Sequence, residues 1–303
     1  MTVALVAMAA GVGSRFGGPK QLEAVGPGGE TILDYTLHDA WRAGFGRAVL
    51  VIRPELRHAF ESTIAARWRD RLEIALVEQD LDDLPAGFAR PAQRTRPWGT
   101  GHAVLAARAA VGGPFGVVNA DDFYGAASFR TLHRFLADRQ DTDGRTWAAV
   151  GFPLRETLAQ TGGVNRALLR TDADGWMEAS EEVIGIERAG DEDGRYTGAD
   201  GVRHTIPGDA PVSMNMWGFA PPLFEELDAG FRRFLAERIG EPKAEFFLPS
   251  YVQELVRGGR ARVRVLRGAG PWCGVTHPED LPRVAAVVRE LVARGEYPRP
   301  AWR

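Results

Sequence analysis

The chain predicts an α/β protein, a mixed, mostly parallel sheet flanked by helices. Three observations carry that expectation. Residues 3–9, 48–52 and 115–119 are short apolar runs bounded by turn-forming or polar residues, the pattern of strands buried on both faces. Between them lie segments of helical length, and strands alternating with helices imply parallel β-α-β units. The first run opens directly into a glycine-rich loop, and open α/β sheets bind ligands at such carboxyl ends.

In order, strand 3–9 precedes that loop. Thr31 caps a helix reaching residue 43, with Leu33, Leu37, Ala40 and Trp41 on one face and Gly44 as its stop. Strand 48–52 follows, and Pro54 opens a helix to residue 68. Residues 72–77 read as a third strand, 101–110 as a helix and 115–119 as a fourth strand. Past Asp122 the rhythm changes to a helix at 129–137 and strands at 147–152, 163–170 and 212–220. Helices then cover 222–238, 244–257 and 279–294, with a strand at 261–266 between the last two. The polar, glycine-rich segment 190–201 reads either as a solvated surface loop or as a lid over a second substrate. No repeat or linker interrupts residues 1–303, so one domain is expected, with residues 1–125 and 126–303 as its halves.

Composition excludes several classes. With a net charge of -3 and a pI of about 6.1, the chain lacks the basic excess of a nucleic-acid binder. Its single cysteine, Cys273, cannot form an intramolecular disulfide and fits a reducing, cytoplasmic setting. The first apolar run is too short for a signal segment, and no stretch reaches the roughly 18 residues of a membrane span. The expectation is a cytoplasmic protein with no membrane partner, whose oligomeric state, homo-oligomer or not, the sequence does not specify. Of 37 Lys+Arg residues only Lys20 and Lys243 are lysine. A coding bias toward arginine gives this pattern, and a lysine that survives it marks places where a compact point charge is needed.

The loop reads Ala9-Ala-Gly-Val-Gly-Ser-Arg-Phe-Gly-Gly-Pro-Lys20. Backbone N–H groups at Ala10, Gly11, Gly13 and Ser14 can approach a phosphate without side-chain obstruction, and Arg15 and Lys20 add positive charge. The dinucleotide fingerprint does not fit. Gly11, Gly13 and Gly17 put the third glycine one residue late, and the second strand ends in Ile52-Arg53 instead of an acid. A P-loop would need Gly-Lys-Ser/Thr, which is missing here.

The segment closely resembles the signature of the sugar-1-phosphate nucleotidyltransferases, the family of glucose-1-phosphate thymidylyltransferase and N-acetylglucosamine-1-phosphate uridylyltransferase. Their pattern is a strand, Ala-Ala-Gly-x-Gly-x-Arg, and a lysine a few residues on. The resemblance implies a Rossmann-like fold of the glycosyltransferase-A-like type. It implies that Arg15 holds the leaving pyrophosphate and Lys20 neutralises the α-phosphate. The short spacer between them is shared with cytidylyltransferases of isoprenoid and molybdopterin pathways, so the loop alone leaves the subfamily open.

Trp98-Gly-Thr-Gly-His-Ala-Val104 resembles the stretch with which the uridylyltransferases read the nucleobase, and Gly99 and Thr100 are the matching residues. Read on its own, Gly-Thr is also an ordinary helix cap. The family places a glutamine shortly before it; position 94 is Arg, and Gln79 is the expected replacement. Val117-Val-Asn-Ala-Asp-Asp-Phe-Tyr-Gly125 places two carboxylates at the end of a buried strand, where they are costly unless paired or bound to a metal. Mg²⁺ prefers carboxylate and phosphate oxygens. The stretch resembles the family's Gly-Asp-x motif, which makes Asp121 the Mg²⁺ ligand by resemblance. Asp122 either stands behind it or caps the following turn.

The second half carries the acceptor-side resemblances. Thr161-Gly-Gly-Val-Asn165 matches the segment that lies against the sugar, through Gly163. Glu181-Glu182 fall where the family binds sugar hydroxyls, with Glu182 preferred, although the basic residue that often follows is Val183 here. Asn215, in Ser213-Met-Asn-Met-Trp-Gly-Phe219, matches an asparagine that contacts the sugar, and an asparagine in an apolar strand needs partners in any case. Lys243 is read at a helix start, where positive charge is unfavourable; this and the rarity of lysine suggest a contact for the sugar phosphate. Trp272-Cys-Gly-Val-Thr276 resembles a Trp-x-Asp-x-Gly-Thr element whose aspartate is a second metal ligand, and Gly274 stands in that aspartate's place.

The resemblance as a whole implies Mg²⁺-dependent transfer of a nucleotidyl group from UTP or dTTP to a sugar 1-phosphate, releasing pyrophosphate. The alternatives are a cytidylyltransferase acting on a non-sugar phosphate and a nucleotide-binding regulatory protein without catalysis, which Gly274 would favour.

Overall fold

The computed structural model describes residues 2–11, 20–138, 141, 143–159, 161–275 and 277–303. Four parallel strands form the first half of the sheet. β1 (Ala4–Met8) lies between β2 (Arg47–Ile52) and β4 (Phe115–Asn119), and β3 (Glu73–Glu78) flanks β2. Every residue of β1 is buried, which is why its sequence shows no alternation. Helix α1 (Ile32–Ala43) starts at Thr31 with a reciprocal cap. The Thr31 hydroxyl accepts from Asp34 N–H, and the Asp34 carboxylate accepts from Thr31 N–H. The helical stretch 54–68 contains α2 (Arg57–Phe60), a π-type turn and α3 (Ala66–Trp68). Helices α4 (Thr100–Ala106) and α5 (Ala126–Ala137) complete this half.

The second half adds β5 (Asp122–Phe123), β6 (Thr146–Pro153), α6 (Leu154–Thr157), β7 (Val164–Thr171), β8 (Met177–Ala189), β9 (Asp193–Thr197), β10 (Arg203–Ile206) and β11 (Pro211–Phe219). It continues with α7 (Pro222–Arg238), α8 (Leu248–Arg257), β12 (Arg262–Arg267), β13 (Cys273–Gly274) and α9 (Leu281–Ala293). β11 runs antiparallel to β4 and so joins this half to the parallel one in an eleven-stranded sheet, ordered β10-β9-β8-β7-β11-β4-β1-β2-β3. β6 pairs with β11 and β12 beside that path, and β5 and β13 form a separate two-stranded ladder.

Three expectations change. Segment 190–201 is not a loop. It contains β9 and leads into β10, so it extends the sheet as an antiparallel meander with β8, a strand the sequence did not announce. α8 begins at Leu248 instead of residue 244, because the chain before it pairs with the 98–101 turn: Phe246 N–H donates to Trp98 O at 2.7 Å, and Gly101 N–H donates to Phe246 O at 2.8 Å. Lys243 is therefore not at a helix start, and the helix-dipole argument for it lapses. α9 begins at Leu281 after a 3₁₀ turn, two residues later than expected.

Helices cover both faces of the sheet. Leu33 and Leu37 of α1 and Phe129, Leu132 and Leu136 of α5 pack on one face. On the other face pack α4, α7 and α8, through residues such as Val104, Phe231 and Val252. α9 closes a third cluster, in which Val284 and Val288 meet Phe123, Cys273 and Val275. Each Leu or Phe fully buried in these layers contributes about 1.5–3 kcal/mol.

Arg94, where the family pattern has a glutamine, is buried and holds loops together. Its Nε donates to Arg96 O at 2.7 Å, Nη2 to Pro97 O at 2.6 Å and Nη1 to Ala244 O at 2.7 Å, with the guanidinium 4.1 Å from the Trp98 ring centre. Replacing it with methionine strands those carbonyls, each worth about 1–3 kcal/mol when left unsatisfied. Arg94→Met is therefore expected to lower stability by about 3 kcal/mol in urea unfolding. Arg94→Lys should recover less than half of the loss, because an ammonium cannot reach three separated carbonyls. Full recovery by lysine would argue against the clamp.

Candidate functional site

The carboxyl ends of β1 and β4 lie side by side, so the loop after β1 and the acidic pair after β4 meet. Ala9 and Ala10 are buried there, and Ala120 N–H donates to Met8 O at 3.1 Å. Gly11 O accepts from Gln21 Nε2 at 3.3 Å, tying the loop's start to the 3₁₀ turn Lys20–Leu22. Gly13, Ser14 and Arg15 lie outside the described residues.

Lys20 crosses to the β4 end. Its ammonium forms an ion pair with Asp121 and donates to Val275 O at 3.0 Å, in the segment after β13. Val275 N–H in turn donates to Asp121 O at 3.1 Å. Three segments far apart in sequence thus converge at Asp121.

Asp122 is buried, with its carboxylate against Gly274 across the β13–β5 ladder. Its Oδ2 accepts from Asn119 Nδ2 at 2.9 Å and lies 3.3 Å from the Tyr124 hydroxyl. That hydroxyl accepts from Asn119 N–H and donates to Met214 O at 2.9 Å, linking the acidic pair to β11 beside Asn215. Among the described residues the Asp122 carboxylate accepts from side chains and not from a backbone N–H that would cap the following turn. Burial, and then the neighbouring Asp121 charge, push its carboxyl well above the usual range. Asn119, Tyr124 and Val275 escaped the reading of the sequence. A polar residue closing an apolar strand was the available signal for Asn119; Val275 takes part through backbone atoms and leaves none.

Two carboxylates with hard oxygen donors suit Mg²⁺, which takes one or two protein carboxylates and completes its shell with phosphate and water. Among the described residues no cluster of three His, Cys, Asp or Glu side chains forms a closed metal cage. The donor set thus fits a metal that arrives with phosphates.

On the adjoining side, Gln79 Nε2 donates to Gly99 O at 3.0 Å and faces His102 Nδ1 at 3.2 Å. Gly99 has φ +104°, and a Cβ there would meet Phe246 O at 2.6 Å, so only glycine fits. The Thr100 hydroxyl accepts from Leu248 N–H at 2.9 Å, at the start of α8. Gln79, Gly99 and Thr100 are thus brought together, with the Gln79 amide nitrogen and the Thr100 hydroxyl engaged in holding the turn.

The residues expected on the acceptor side lie on the antiparallel half. Glu182 pairs with Ala167 across β8–β7, and Ala167 pairs with Ser213 across β7–β11. Directly paired residues share a face, so these three form a row, on the face where Leu169 joins the core beneath α7 and α8. Asn215 sits in the β11 irregularity between Ser213 and Trp217, its N–H donating to Ser213 Oγ at 3.3 Å. Glu181 is engaged elsewhere, with Arg170 at 2.7 Å. Gly163 packs against Gly185, where a Cβ would come within 3.0 Å of the Gly185 Cα. Lys243 is exposed in the turn that Arg94 clamps through Ala244. A half-buried cation not foreseen in the sequence, Arg166, lies over the Trp272 ring at 5.1 Å, its pKa pushed down to about 10 by burial against the opposing pull of Asp122.

No family model and no curated protein matches this chain. Solved structures do match over nearly the full length. The inositol-1-phosphate CTP transferase of T. maritima superposes with a TM-score of 0.62 at 13% identity, covering 95% of this chain and 96% of that one. A Bacillus anthracis protein assigned as a glucose-1-phosphate thymidylyltransferase, solved with sucrose, gives 0.62 at 12% identity and 96% of both chains. A UDP-glucose pyrophosphorylase complexed with UDP-glucose gives 0.55 at 14% identity, with 94% and 98% covered. The chain shares their fold.

Asn215 has φ +60°, the one non-glycine residue with positive φ among the described residues. Asparagine tolerates this region better than residues that lack a short polar side chain. Asn215→Ala is expected to lower stability by about 1 kcal/mol, and Asn215→Gly to leave it nearly unchanged, both read from thermal unfolding. A glycine variant less stable than the alanine variant would contradict a backbone constraint at this position.

Proposed function

We propose that this protein is a nucleotidyltransferase that moves a nucleotidyl group from a nucleoside triphosphate, UTP or dTTP, to a sugar 1-phosphate, with Mg²⁺ as cofactor. One observation carries the reading: the lysine of the glycine loop meets the carboxylate at the end of β4. A phosphate cradle next to a carboxylate calls for a divalent cation between them. The likeness in fold to a thymidylyltransferase and a pyrophosphorylase supports it.

In this mechanism the triphosphate lies along Ala10, Gly11, Gly13 and Ser14, with Arg15 on the leaving pyrophosphate. Asp121, backed by Asp122, would hold the cation, whose chemistry is to neutralise charge on the transferring phosphate. Lys20, now on Asp121, turns to the α-phosphate. The acceptor phosphate is already an anion and attacks the α-phosphorus in line, so no strong general base is needed. The attacking oxygen forms the new P–O bond as the bond to pyrophosphate breaks. Gln79, Gly99 and Thr100 shape the base pocket. Gly163, Glu182 and Asn215 line the sugar, and Lys243, whose loop packs on the same face, meets the sugar phosphate.

A second reading has a specific support. The inositol-1-phosphate CTP transferase has the same fold, and the short loop spacer is shared with cytidylyltransferases. The acceptor would then be a cyclic polyol phosphate and the base cytosine.

Pyrophosphate release, screened over four triphosphates and a panel of sugar and polyol phosphates, tests both readings; no release with any pair would overturn them. Lys20→Ala is expected to lower turnover by about two orders of magnitude with the circular dichroism spectrum unchanged. A near-wild-type rate would sink the assignment. Lys243→Ala is expected to raise the KM for the acceptor about ten-fold with kcat and the triphosphate KM held; an unchanged acceptor KM would remove Lys243 from the site.

A further inference from the structure

Glycine at 274 is a matter of space. Gly274 and Asp122 face each other across the β13–β5 ladder. A Cβ on residue 274 would lie 2.2 Å from Asp122 Oδ1 and 3.0 Å from the Trp272 ring. No real Cβ tolerates the first distance, so the Asp122 carboxylate fills the volume that any side chain at 274 would need.

The two oxygens of that carboxylate are used differently. Oδ2 takes the contacts with Asn119 and Tyr124, and Oδ1, the oxygen against Gly274, has no hydrogen bond among the described residues. No lysine, arginine or histidine forms an ion pair with Asp122 among those residues, and Lys20 pairs with Asp121 instead. Asp122 is only 8% exposed. A carboxylate this buried, with an open oxygen and a second carboxylate next to it in sequence, destabilises a fold unless a cation meets it. The cation at hand is the Lys20 ammonium, held between Asp121 and Val275 O, so the position is already one that collects positive charge.

We propose that Asp122, through Oδ1, is the second protein carboxylate for the divalent cation held by Asp121, and that residue 274 is glycine to leave room for it. The acid has moved by one strand, from β13 to its cross-strand partner on β5. This assignment rests on the nucleotidyl-transfer reading for the cation's role, and the binding itself is measurable without turnover.

Mn²⁺ titrated into the whole protein without nucleotide, followed by electron paramagnetic resonance, reads the site directly. Asp122→Asn keeps the shape and removes the charge; it should weaken Mn²⁺ binding about ten-fold or more without lowering the melting temperature. Asp122→Gly should weaken it similarly, and adding Gly274→Asp, which returns a carboxylate from the opposite strand, should bring affinity back to within about three-fold of wild type. Wild-type Mn²⁺ affinity in Asp122→Asn, no Mn²⁺ binding by the wild-type protein, or no recovery in a folded exchange variant would each overturn the assignment. Transfer activity alongside an Asp122→Asn variant that binds Mn²⁺ normally would leave the proposed function standing without it. Asp122-dependent Mn²⁺ binding with no transfer on any substrate pair would do the reverse.

Discussion

The arrangement depends on negative charge gathered at the end of β4. Asp121 and Asp122 are adjacent in sequence, and one of them is buried. Two carboxylates in that position repel each other and lose hydration, so the surrounding structure has to answer for both. Lys20 answers for Asp121. Asn119 and Tyr124 answer for one oxygen of Asp122. Because Lys20 comes from the loop after β1 and Val275 from the segment after β13, the same charge draws the amino-terminal loop and the carboxyl-terminal strand to one point.

The packing around this point explains how it is kept in place. α9 presses the β5–β13 ladder from behind through Val284 and Val288. β11, antiparallel to β4, carries Asn215 toward the same end of the sheet, and Tyr124 bridges to it at Met214 O. On the opposite side Arg94 ties the turn around Lys243 to the turn at Trp98. The groups proposed to meet the two substrates thus sit on elements braced by a buried aromatic core on one side and by a guanidinium clamp on the other.

Much of this was legible in the sequence, for physical reasons. The parallel half was readable because strands buried on both faces are apolar throughout, as β1 and β2 are. α1 announced itself through Thr31 and Gly44. That the residues following β1 and the acidic pair following β4 would come together was readable because both follow apolar runs whose carboxyl ends share one edge of a parallel sheet. The meander of β8, β9 and β10 was not. Its strands are largely solvated, so they show no apolar alternation, and their glycines look like a loop. The start of α8 was missed because residues 244–247 have helical composition, and only the pairing with Trp98 and Gly101 holds them extended. The meaning of Gly274 was hidden for a different reason. A glycine advertises flexibility, whereas this one is determined by the volume of a side chain 152 positions earlier, on the strand opposite it.

The meander also leaves the sheet with a raw border. β10 ends the strand order, and an unpaired strand edge is a template on which another chain can add itself. Here that border is four residues long and carries Arg203 and His204. A short, charged margin blunts recruitment of a foreign strand, so the colloidal behaviour of a sheet of eleven strands is entrusted at this end to one of its smallest pieces.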